Sequence, residues 1–60
     1  MRSDAITFAL IVLLEDAQRR YYEEHRDPDR SGFDSHNDGV QGDAERIFGP
    51  AIRALRGVGQ

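Results

Sequence analysis

Residues 5–14 read AITFALIVLL, ten positions of which only Thr7 is polar, and residues 15–26 follow as EDAQRRYYEEHR. This change of character inside one continuous stretch decides the fold. Asp4 suits the positive end of a helix dipole, and Ser3 before it is a residue type that caps helices. Asp27-Pro28 closes the stretch, because a residue preceding proline is pushed out of the helical region. The spacing predicts one helix over residues 4–26, about 34 Å long at the standard rise.

At 100° per residue, Ile6, Leu10, Leu13, Ala17 and Tyr21 fall on one stripe along the whole helix. The opposite face holds Phe8, Ile11 and Val12 in the first half, with Tyr22 at the side of the second half. The first half is therefore apolar all round, and such a helix must be buried all round. Ten apolar residues are about half of what a bilayer core requires. Asp4 before the run and Glu15-Asp16 after it are unlike the flanks of a secretory signal. The expectation is a cytoplasmic chain with no membrane partner.

Beyond residue 26 the chain becomes acidic and rich in turn residues: residues 27–42 read DPDRSGFDSHNDGVQG. Pro28 suits the second position of a turn, and Asp38-Gly39 suits a tight turn with positive φ. Phe33 and Val40, the two large apolar residues here, are expected to pin this loop to the helices. Asp27, Asp29, Ser31 and Gly32 resemble the opening of an EF-hand calcium loop, D-x-D-x-S-G. Alternate oxygen side chains would converge on a hard cation, and glycine would permit the sharp bend. The resemblance implies the Phe33 carbonyl at the seventh position and Asp38 at the twelfth. Asp34 stands where that family has an apolar residue, and Asp38 replaces a bidentate glutamate. A second register, Asp34 to Glu45, closes on a glutamate but places His36 and Gln41 at the carboxylate and apolar positions.

In the last third, Asp43 is read as the cap of a second helix and Gly57 as its stop. Ile47, Phe48, Ala51, Ile52 and Leu55 form an apolar stripe that Gly49-Pro50 interrupts. An interior proline removes a backbone hydrogen bond at a cost of about 3 kcal/mol, so the expectation is a kinked or broken helix over residues 43–56. Arg46, Arg53 and Arg56 project from the opposite side, as a solvated face or as a contact for an acidic partner.

Composition narrows the chemistry. A chain of 60 residues is one small domain, and its own core is marginal. It has no cysteine, which removes disulfides, thiolate metal sites and cysteine nucleophiles. All 8 basic residues are arginine, so there is no lysine for a Schiff base or a phosphate loop. The net charge of −3 argues against general nucleic-acid binding. The two histidines, His25 and His36, lack the spacing of helical metal sites.

The sequence thus predicts an all-α helical hairpin: a long first helix, an acidic loop over 27–42, and a short broken helix. Self-association or a larger protein partner is expected to complete it. The expected function is non-enzymatic protein binding, as an accessory or inhibitory subunit, through Phe8, Ile11, Val12 and Tyr22. The alternatives are a calcium-binding helix–loop–helix using Asp27, Asp29, Ser31, Phe33 and Asp38, and an acidic inhibitor of the phage type or nucleic-acid mimic.

Overall fold

A computed structural model describes the backbone of residues 2–58 and the side chains of residues 4–58. It contains two helices, α1 (Arg2–His25) and α2 (Ser35–Val58), joined by residues 26–34. Tyr21 lies against Phe48, and Glu15 is paired with Arg56, so the two helices run antiparallel as a hairpin. The molecule is a rod of 45 × 15 × 13 Å.

α1 matches expectation closely, although it already includes Ser3, which had been read as its cap. α2 does not. It begins eight residues before Asp43 and continues through Pro50 as one helix of 24 residues. Asp38-Gly39 is therefore no turn, and no glycine described has positive φ. The loop over 27–42 shrinks to residues 26–34, and the short broken helix over 43–56 is replaced by a full-length partner for α1.

The cause is a stripe that continues back through the supposed loop. Asn37, Val40, Ala44 and Ile52 are buried, and Phe48 and Leu55 are half-buried between and beyond them. Steps of three and four residues keep all six on one face of α2. Packing along both halves of this stripe carries the helix across Gly39, Gly42, Gly49 and Pro50. Pro50 is on the exposed side.

Asp34 caps α2: its Oδ2 accepts the His36 N–H at 3.0 Å, and its carbonyl accepts the Asp38 N–H at 2.8 Å. The connection contains two tight turns, in which the Arg30 N–H donates to the Asp27 carbonyl and the Asp34 N–H to that of Ser31. Pro28 takes the second position of the first turn, as its fixed φ favours. Asn37 closes the assembly. It is 0% exposed, and its Oδ1 accepts the Asp27 N–H at 2.7 Å. Its Nδ2 donates towards the carbonyls of Ser31 at 2.9 Å, Asp27 at 3.1 Å and Arg30 at 3.4 Å.

On α1 the half-buried positions Thr7, Ile11, Leu14, Gln18, Tyr21 and Tyr22 form the face towards α2. The expected stripe of Ile6, Leu10 and Leu13 is rotated away by about one residue, and all three are exposed. No described residue of α1 is fully buried.

Two substitutions test this arrangement. Asn37→Ala leaves the Asp27 N–H and three loop carbonyls without their partner, in bonds that are part-buried. It should cost about 1–3 kcal/mol, seen as a lower thermal midpoint. Gly39→Ala meets nothing within 4 Å. It should stabilise the chain by roughly 0.5–1 kcal/mol, because alanine suits a helix interior better than glycine. A fall in the midpoint would put Gly39 in a turn instead.

Candidate protein-interaction surface

The large apolar side chains that face solvent are concentrated at one place. Ile6 (62% exposed), Phe8 (69%) and Leu13 (65%) are joined there by the exposed Leu10 and Val12. All five lie within eight residues of α1, and Ala5 and Ala9 are exposed between them. The stretch from Ala5 to Leu14 carries no charge, and beyond it Asp16 pairs with Arg19 at 2.5 Å and Arg20 at 2.8 Å. The charged half of α1 thus marks one boundary of the apolar surface.

Of the four residues expected to form an interface, Phe8 and Val12 are exposed on this apolar surface. Ile11 and Tyr22 turn towards α2 instead. Tyr22 lies under the Arg26 guanidinium, 5.8 Å from the ring centre. Periodicity could not choose between stripes in a half-helix that is apolar on every side. The choice comes from the other half, where Gln18, Tyr21 and Tyr22 face α2.

Phe33 was expected to pin the loop but is 99% exposed at its tip. The Ser31 Oγ accepts the Phe33 N–H at 3.0 Å, which fixes the backbone beneath the ring.

The calcium-loop residues are occupied with each other. Asp27 Oδ1 accepts the Asp29 N–H at 3.0 Å, and its Oδ2 pairs with Arg30 at 3.2 Å. Asp38 lies in the first turn of α2 and Phe33 in the second tight turn. The carbonyls of Asp27, Arg30 and Ser31 converge on the Asn37 amide. The alternative register from Asp34 to Glu45 is helical from Ser35 onward, so it contains no loop to wrap an ion. Among the described residues, no three His, Asp or Glu side chains are grouped to hold a metal.

Arg46, Arg53 and Arg56 are all exposed on α2. Arg46 pairs with Asp43, and Arg56 pairs with Glu15 across the hairpin. The Arg53 guanidinium lies beside Gly49. A groove of about 320 Å³ runs between the helices, lined by Glu15, Gln18, Arg19, Tyr22, Gln41 and Ala44. Its acid and its arginine are both engaged in the ion pairs already described. His25 stacks on Tyr21 with ring centres 4.1 Å apart, and its Nδ1 lies 2.8 Å from the Tyr21 carbonyl.

No described helix is long and apolar enough to cross a membrane. No family model, curated protein or solved structure matches the sequence.

Two carboxyls are held below the ordinary aspartate range. For Asp34 the chief cause is the hydrogen bond from the His36 backbone, with Arg30 adding to it. For Asp16 it is the hydrogen bond from Arg19, with the charges of Arg20 and Arg19. A carboxyl with a lowered folded pKa stabilises the fold fully above its unfolded pKa. That contribution is lost as pH falls through the lowered folded value. Asp34→Asn keeps an oxygen able to cap α2 but cannot titrate. Its thermal midpoint should therefore fall less steeply with acid than that of the parent, across and below the ordinary aspartate pKa.

Proposed function

We propose that the chain is a small non-enzymatic protein-binding module, an accessory or inhibitory subunit that acts through the outer face of α1. The observation that carries this reading is the exposure of Ile6, Phe8, Leu10, Val12 and Leu13 on a helix with no fully buried residue among those described. Each such side chain left in water forgoes roughly 1.5–3 kcal/mol relative to burial. A contiguous apolar surface of this kind marks interaction sites. The absence of charge from Ala5 to Leu14 fits the desolvated centre of a protein interface, where charged residues are depleted. A non-enzymatic role fits the groove, whose Glu15 and Arg19 are engaged in ion pairs rather than arranged as an acid, a base or a nucleophile.

Site-specific photocrosslinking tests the assignment. A benzophenone side chain in place of Phe8 should give covalent protein adducts in cells. The same group in place of the exposed Glu24, on the charged half of α1, should give none. No adduct at position 8, or equal adducts at both positions, would refute the reading.

A further inference from the structure

We infer that the occupant of this surface is a second copy of the same chain, packed on the outer side of α1 about a two-fold axis. The inference rests on the reading of that face as a protein-binding surface and names its partner.

The first argument is area. A compact monomer of 6.8 kDa exposes roughly 3,950 Å², whereas this chain exposes 4685 Å². The excess of roughly 700 Å² is close to the ~800 Å² that each partner contributes to a standard interface. Shape agrees with area: the radius of gyration is 13.8 Å, against roughly 10 Å for a compact chain of this length. Among the described residues, five of the eight large exposed apolar side chains sit on this one half-helix, so the apolar part of the exposed surface is concentrated there.

The second argument is self-complementarity. A two-fold interface sets a patch against itself, so any charge within the patch risks meeting its own sign. Ala5 to Leu14 holds none. The surface is also stepped, with Ala5 and Ala9 lying among Ile6, Phe8, Val12 and Leu13. Large side chains of one copy therefore find recesses over the alanines of the other, as ridges enter grooves between packed helices. α2 lies on the opposite side of α1 and does not obstruct the approach. The product is a four-helix assembly with both α1 helices at its centre.

Sedimentation equilibrium of the full chain should give twice the 6.8 kDa chain mass at micromolar concentration. The thermal midpoint should rise with protein concentration, since association stabilises the folded state by mass action. Leu13→Glu should sediment as a single chain and lose the concentration dependence. If that variant does not fold alone, the dilution behaviour of the parent still decides the matter. A parent that remains a single chain at high micromolar concentration, with a midpoint independent of concentration, overturns the second copy. Photocrosslinks from position 8 to a different protein would then leave the binding reading standing, and their absence would remove both.

Discussion

The structure depends on the Asn37 side chain. It is fully buried, and it joins the backbone just past the end of α1 to the first turns of α2. An amide can satisfy acceptor and donor demands together, and Asn37 meets an N–H on one side and carbonyls on the other. Without it these part-buried bonds would be lost, leaving the Asp27 N–H and the loop carbonyls without their protein partner. Because the bonds reach Asp27 on one side and Ser31 on the other, they fix where α2 starts and which face it presents. From Asn37, steps of three and four residues bring Val40, Ala44, Phe48, Ile52 and Leu55 towards α1 in turn.

This constraint explains what could be read in the sequence and what could not. The two-helix hairpin and the end of α1 at Asp27-Pro28 were legible, because hydrophobic period and proline chemistry are local signals. The start of α2 was not. Asp38-Gly39 has the composition of a turn, and a reading by propensity stops there. Val40 and Ala44 extend the stripe of Phe48 and Ile52 backwards, and tertiary burial of that stripe outweighs the weak preference of one glycine. At Pro50 the break into two pieces does not occur, because a helix packed on both sides of a proline need not break. The apolar surface of α1 was legible as an excess, since nothing in one short chain can cover all of it. Its members were not, because rotation about the helix axis is set by the other half of α1, where Gln18, Tyr21 and Tyr22 face α2. Hence Ile11 and Tyr22 face inward while Ile6, Leu10 and Leu13 face out.

The acidic loop gives a second lesson about composition. Aspartate and serine at alternate positions are what a calcium loop needs, and they are equally what consecutive tight turns need. Asp27, Ser31 and Asp34 each accept the backbone N–H two residues further on. Such side-chain bonds mimic a turn of backbone and hold it without an ion. The resemblance to a cation loop has a physical root, since in both cases oxygens must be gathered around a positive centre. Here the centres are backbone N–H groups and the Asn37 amide.

The distribution of restraint along the rod bears on how the surface works. At the loop end, buried polar bonds, two turns and a helix cap lock the helices together. Towards the other end, Ile52 and Leu55 are joined by the Glu15–Arg56 pair, and both members of that pair are about half exposed. Exposed pairs of this kind contribute about 0–1 kcal/mol. The N-terminal half of α1 is thus fixed in rotation by the loop end yet sparsely covered by its own chain. The same sparse cover makes this half the first part to open when unpartnered, since few buried apolar contacts oppose local fraying. A partner seated on Phe8 and Leu13, as proposed, would therefore stabilise the stretch of helix that presents them.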